Sequence, residues 1–334
     1  MKQRSGAVVG LRGIGRMHLQ MMQATGRITP VAVCDIDPSL KESVLQEFPD
    51  VRFYTDRADM LQKEKLDVVA VATPHNLHLP VALDAIAAGV HVVVEKPMAT
   101  TYEDCLAMIA AAEKNGVLLT VFHNRRWDPY FLAARDVIQA GLLGRVFDMT
   151  VRVGSRDHLP AWRRFKEATG GTMFDWGAHF VDYCLHFDTS PVKAVSGHLY
   201  KEPDSDPREN PIHGTLRIYF QSGATANITV SVRDFHCPLR YKILGTKGTL
   251  IDHWGWEQRG VVEVFTASPN GDEIKTEVPY RQADVQGFYD NLVAAIERGE
   301  PLAVSAESAA RNINVLCAAE RSHERGGVPV GLSP

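Results

Sequence analysis

Three residues stand out for what they could do to a hydroxyl group. Lys96 closes the segment Val90-His91-Val92-Val93-Val94-Glu95-Lys96-Pro97 and so leaves an apolar run where the chain must turn. An amine held there, partly withdrawn from water, suits proton transfer or the stabilisation of an alkoxide. Asp175 and His179 stand four apart in Gly170-Gly171-Thr172-Met173-Phe174-Asp175-Trp176-Gly177-Ala178-His179. On a helix they share one face. Imidazole titrates near neutrality and can take a hydroxyl proton, and a nearby carboxylate can orient it. Read one at a time, the same residues are also a loop lysine, a helix-capping aspartate and a satisfied core histidine.

A different chemistry is written into Val8-Val9-Gly10-Leu11-Arg12-Gly13-Ile14-Gly15-Arg16. An apolar run turns on glycines and opens a helix, which is the context of a dinucleotide fingerprint: glycine lets the backbone approach a pyrophosphate, and the helix start offers it free N–H groups. Gly10, Gly13, Ile14 and Gly15 are the expected contacts. Asp35, 20 residues after Gly15, is placed to accept hydrogen bonds from an adenosine ribose and to repel a 2′-phosphate, which favours NAD over NADP. Asp37 is a second contact or an exposed bystander. The usual G-x-G-x-x-G spacing puts a glycine at position 12, where this chain has Arg12. Its guanidinium either points outward or joins the cofactor contacts at the phosphates or adenine.

The elements that must position these groups follow from hydrophobic patterning. Between residues 7 and 122, short apolar runs (7–9, 31–34, 51–54, 68–72, 90–94 and 117–122) alternate with helical stretches at 15–24, 39–48, 77–88 and 101–115. That alternation predicts a parallel sheet covered by helices on both faces. Ligands in such sheets bind beyond the carboxyl ends of the strands, so Thr73, Pro74, Asn76 and His78 after the fourth run, and Glu95 and Lys96 after the fifth, join the expected cofactor contacts. After about residue 145 the pattern changes to period-two segments joined by turns at Ser222-Gly223 and Gly245–Gly248, which predicts antiparallel hairpins. Strands are expected near 146–153, 193–200, 214–220, 224–232, 240–244, 249–252, 261–266 and 273–278. Helices are expected from Pro129 and over 177–187, 283–298 and 304–323. The fold class is therefore α/β: a doubly wound Rossmann sheet over 1–123, then an α+β domain with a large, mostly antiparallel open sheet over 124–334. The last helix, 304–323, is free to pack back on the first domain.

Bulk properties narrow the function. With 334 residues, 45% hydrophobic and 23% charged, the chain has the composition of a folded globular protein. A net charge of −4 with no basic block removes the electrostatic footprint of a nucleic-acid binder, and an anionic membrane surface is disfavoured likewise. Five scattered cysteines without a C-x-x-C pair argue against a disulfide framework and a zinc cluster, so no metal is expected. No apolar run reaches the ~18 residues of a membrane span, and the amino terminus lacks a signal-peptide core. A reduced, cytoplasmic protein is expected.

The chain resembles the glucose-fructose oxidoreductase, inositol dehydrogenase and rhizopine catabolism family, Gfo/Idh/MocA. The resemblance rests on the glycine turn followed by Met17-His18, on Ala72-Thr73-Pro74 with His78, and on Ala88-Gly89-Val90-His91-Val92 leading to Glu95-Lys96-Pro97. It rests further on Asn124-Arg125-Arg126-Trp127-Asp128-Pro129 and on the Gly170–Asp182 stretch. It implies bound NAD(P), a second domain whose open sheet face makes a homodimer or homotetramer, and Lys96, Asp175 and His179 as catalytic residues acting on a sugar, inositol or sugar acid. His179 would take the hydroxyl proton, Lys96 orient the oxygen and modulate that base, and Asp175 position both or bind a neighbouring hydroxyl. Arg125 and His158 would help bind substrate. Trp162 and Arg163, in His158-Leu159-Pro160-Ala161-Trp162-Arg163-Arg164, would cover the nicotinamide or contact substrate, unless that stretch is a plain surface turn. Two other activities occur among such chains: NAD-dependent glycoside cleavage by oxidation and elimination, and non-catalytic dinucleotide sensing.

Overall fold

The computed structural model describes residues 3–156 and 161–334. Two compact units emerge, one formed by Met1–His123 with Gln286–Ala310, the other by Asn124–Val285 with Arg311–Pro334.

In the first unit the elements run β1 (Arg4–Val9), α1 (Ile14–Ala24), β2 (Ile28–Cys34), α2 (Lys41–Glu47), β3 (Arg52–Tyr54), α3 (Arg57–Lys63), β4 (Val68–Val71), α4 (His78–Ala87), β5 (His91–Glu95), α5 (Tyr102–Asn115) and β6 (Leu119–Phe122). The strands pair in parallel in the order β3-β2-β1-β4-β5-β6, the doubly wound order in which ligands sit where the strand sequence reverses. All four residues of β4 are buried, as an interior parallel strand with both faces covered requires. Helix α5 starts on Thr101, whose side chain accepts from the Asp104 amide, and stops on Gly116 in the left-handed conformation, the cap that Asn115-Gly116 predicts. Helix α3 went unforeseen. Its seven residues are too few for a clear periodicity, and its Asp56 cap is its main local signal.

The second unit contains α6 (Pro129–Gln139), β7 (Val146–Gly154), α7 (Lys166–Thr169), α8 (Thr172–Phe187), β8 (Val192–Tyr200), β9 (His213–Phe220), β10 (Thr225–Ser231), β11 (Leu239–Gly245), β12 (Gly248–His253), β13 (Val261–Ala267) and β14 (Glu273–Pro279). Its eight-stranded sheet has the order β14-β13-β12-β11-β7-β10-β9-β8. The β9–β10 and β11–β12 hairpins are antiparallel at the turns expected, and β7 lies parallel to β10. Helix α8 packs on the β7, β10 and β9 part of the sheet. It begins at Thr172, five residues before the start expected from the pattern, because the chain bends on Gly170 and Gly171, with φ of 86° and 141°, and turns helical at once. The segment 175–179 therefore lies wholly inside a helix.

Two further helices, α9 (Gly287–Arg298) and α10 (Ala306–Glu324), close the chain. A boundary drawn only at 123/124 misses the return of 286–310 to the first unit. The tie is α9, whose Phe288 packs edge-on against Phe122 at 4.8 Å. Gln286 donates to the Met21 carbonyl, and Glu297 pairs with Arg27. Only the first turn of α10 belongs with it.

Candidate functional site

The glycine turn of the first unit is held from both sides by backbone. The Gly10 N–H donates to the Cys34 carbonyl of β2 at 2.8 Å, and the Ala72 N–H donates to the Val9 carbonyl at 2.8 Å. Each glycine has its own reason. Gly10 has φ 93°, and a Cβ there would lie 2.5 Å from the Ala72 carbonyl oxygen. A Cβ on Gly15 would lie 1.9 Å from the Gly10 carbonyl oxygen, so the turn closes only if both lack side chains. Gly13 precedes α1 with φ 56° and open space around it. The departure at position 12 is thereby explained. Among the described residues only Ala161 combines a side chain with positive φ, so Arg12 sits where an L-residue fits, and the conformational demand falls on Gly13. Arg12 is 77% exposed, with its guanidinium 2.6 Å from Asp37.

Asp35 stands directly after β2, as expected, but its carboxylate braces the turn itself. One oxygen accepts from the Leu11 N–H at 2.8 Å and the other from the Asp37 N–H at 3.0 Å. A carboxylate offers about four acceptor positions, so room for a ribose hydroxyl remains. Asp37 is held below the usual carboxylate range by the Ser39 hydroxyl and amide, then by Arg12. Between the two acids, Ile36 is 88% exposed, an apolar surface beside the turn that motif reading overlooked.

At the ends of β4 and β5 the expected contact residues divide. Pro74 and Lys96 are half-buried, and Asn76 is exposed at the rim. His78, expected among the cofactor contacts, is fully buried. Its Nδ1 lies 2.9 Å from the Pro97 carbonyl and its Nε2 3.0 Å from the Thr73 carbonyl, so it sits between the two loops and can donate its one ring proton to either carbonyl. Burial outweighs those carbonyls and lowers its pKa, keeping the ring neutral. Glu95 also turns inward, toward His18 and the Lys96 amide. Ligand contact is thus not what holds either side chain.

In the second unit, Asp175 and His179 are both buried, one turn apart on α8. Arg163 approaches Asp175 with Nε to Oδ2 at 3.7 Å, and the same guanidinium lies over the Trp162 ring at 4.5 Å. Trp162 and Arg163 are thus placed on the Asp175 side of this unit, next to Ala161, whose φ of 51° is a strained conformation for alanine. Arg125 stacks at 4.7 Å over Trp176 and is fixed by Asp128 at 2.9 Å and the Tyr130 hydroxyl at 2.8 Å. Tyr183, one turn beyond His179, donates to Asp128 at 2.8 Å. Trp254, after β12, stands edge-on to Trp176 at 6.0 Å, a neighbour that no spacing in the sequence announced. His158 lies outside the described residues. Among the described residues, no three His, Cys, Asp or Glu side chains group as metal ligands would, and no helix is long and apolar enough to cross a membrane.

Does the first unit fit a dinucleotide? Helix α1 has no side-chain cap and no acid in its first turn, which leaves its amides and positive dipole end available to an anion. The Thr73 hydroxyl at the end of β4 is buried with no hydrogen-bond partner among the described residues, an arrangement that costs about 1–3 kcal/mol unless a ligand or water completes it. The glycine turn, the open side of Gly13 and this hydroxyl suit a bound pyrophosphate and its attached nucleoside.

Comparison with known proteins agrees. Residues 5–123 match the family model described as an oxidoreductase family with an NAD-binding Rossmann fold, and residues 131–251 match the Gfo/Idh/MocA C-terminal domain. The scyllo-inositol 2-dehydrogenase (NADP(+)) of Bacillus subtilis (strain 168) is 28% identical over 310 residues, covering 87% of this chain and 86% of that protein. The 1,5-anhydro-D-fructose reductase of Ensifer adhaerens is 31% identical over 246 residues, covering 72% and 71%. Among solved structures, an NAD-binding protein from Listeria innocua superposes with a TM-score of 0.89 at 29% identity, over 99% of this chain and 97% of that one.

Proposed function

Because this chain belongs to the Gfo/Idh/MocA oxidoreductase family, we propose that it transfers hydride between NAD and a hydroxyl-bearing carbon of a sugar, inositol or sugar acid. The observation that carries this reading is the buried Asp175 and His179 pair, one turn apart on α8 with Arg163 against the acid. An imidazole with a carboxylate one turn away on the same helix face suits removal of a hydroxyl proton. The names of the Bacillus and Ensifer relatives point to polyol and sugar substrates.

Bound nicotinamide supplies the hydride acceptor or donor, and the chain supplies the rest. The α1 amides and the glycine turn bind the pyrophosphate. His179 takes the hydroxyl proton as hydride leaves carbon, and Asp175, oriented by Arg163, holds a neighbouring hydroxyl or the histidine. Lys96 donates a hydrogen bond to the substrate oxygen and so stabilises the alkoxide character that develops there. We favour NAD because Asp35 and Asp37 together oppose a 2′-phosphate. The NADP-linked Bacillus relative and the exposed Arg12 are what a competing NADP reading would rest on. We place the protein in a reducing cytoplasm, in keeping with five scattered cysteines that include no C-x-x-C pair, as a homodimer or homotetramer formed through the open face of the second sheet.

Lys96→Ala tests the assignment. Its affinity for NADH, followed by fluorescence, should stay within about threefold, while turnover should fall by ~10³, within the range that loss of a positioned proton-transfer group produces. Near-normal turnover in that variant would remove Lys96 from the chemistry.

A further inference from the structure

Behind Lys96 runs a chain of buried polar groups that the reading above leaves unused. Glu95, the last residue of β5, is 7% exposed, and His18 on α1 is fully buried, as is Tyr289 on α9. One Glu95 oxygen accepts from the Lys96 backbone N–H at 3.1 Å, and the other lies 3.0 Å from His18 Nε2. His18 Nδ1 lies 2.6 Å from the Tyr289 hydroxyl. The protons can be assigned without leaving any of these groups unmatched. Burial and the Glu95 charge hold the Tyr289 phenol well above its ordinary pKa, so its O–H stays intact and donates to Nδ1. The neutral ring then carries its proton on Nε2 and donates it to the Glu95 carboxylate. Phe122 packs against both rings, with centroids 4.6 Å from His18 and 6.4 Å from Tyr289, and shields the chain from water.

We propose that Tyr289 and His18 are positioning residues that act through Glu95 to fix Lys96 relative to α1, the helix that opens on the glycine turn. An apolar trio would fill the same volume without the desolvation cost of a buried carboxylate. What the polar chain adds is direction: it specifies where the Lys96 amide sits with respect to the cofactor turn. It also gives the return of 286–310 to this unit a task, since Tyr289 lies 271 residues from His18 in sequence. The inference rests on Lys96 handling the substrate oxygen.

Tyr289→Phe keeps the ring and removes one hydroxyl. Hydrogen exchange at the Lys96 amide, followed by NMR, should accelerate about tenfold, with the sheet amides of Val92–Val94 unchanged. With the best substrate from a panel of inositols, aldoses and sugar acids, kcat should fall about tenfold while the KM for NAD moves less than twofold. Glu95→Gln should restore part of the protection that Glu95→Ala loses, because the amide oxygen still accepts from Lys96 and the other histidine tautomer can serve its NH₂ group. Unchanged Lys96 exchange in both Tyr289→Phe and Glu95→Ala overturns the relay, as does a fall in melting temperature alone with exchange and kcat intact. The exchange measurement needs no turnover, so it is separable from the role of Lys96: full activity in Lys96→Ala would sink that role while leaving the hydrogen-bonded chain standing.

Discussion

In the first unit the candidate ligand groups are mostly backbone, whereas in the second they are side chains held by other side chains. The turn at Gly10–Gly15 exposes amides and folds so tightly that no Cβ fits at Gly10 or Gly15. Asp175 and His179 instead project from a regular helix, with Arg163, Trp162, Trp176 and Arg125 ranged around them. A site made of backbone fails all at once when its path is blocked. A site made of side chains should lose function in steps, and its ligand preference can change without a change of fold.

That contrast predicts effects of different size. Gly15→Ala should be the most severe: it forces a methyl group against the Gly10 carbonyl, and NADH affinity should fall by ~100-fold or more, about 2.8 kcal/mol at 1.4 kcal/mol per tenfold. Titration by fluorescence checks it, and a variant that binds within threefold would show that the turn can relax. Arg163→Ala should be milder. It removes a half-exposed ion pair, and such pairs are worth ~0–1 kcal/mol in stability, so the melting temperature should barely move while the KM for substrate rises about fivefold and NADH affinity is kept, as expected for lost uniform binding. Equal losses for substrate and NADH would erase the distinction between the two units.

The same contrast explains how much was legible in the sequence. The parallel and antiparallel sheets were readable because buried parallel strands are continuous apolar runs and half-exposed strands alternate. The glycine turn was readable because its residue types are forced by sterics. Side-chain direction was not. Asp35, His78 and Glu95 occupy the expected positions along the chain, yet each is occupied by bonds to backbone or to a buried partner. A motif fixes a place in the sequence but not which way the side chain turns at a strand end. Tyr289 and Trp254 were out of reach altogether, because their neighbours are distant in the chain and no periodicity links them. Met17-His18 after the glycine turn was the one local hint of the buried relay.

The most direct test of the account is whether the purified protein reduces NAD at the expense of a polyhydroxylated substrate. Mixed with NAD and a panel of inositols, aldoses and sugar acids, it should form NADH with at least one of them, and more slowly with NADP in place of NAD. A blank with both cofactors, in protein shown to bind NADH, would contradict net hydride transfer and leave a dinucleotide site serving another purpose.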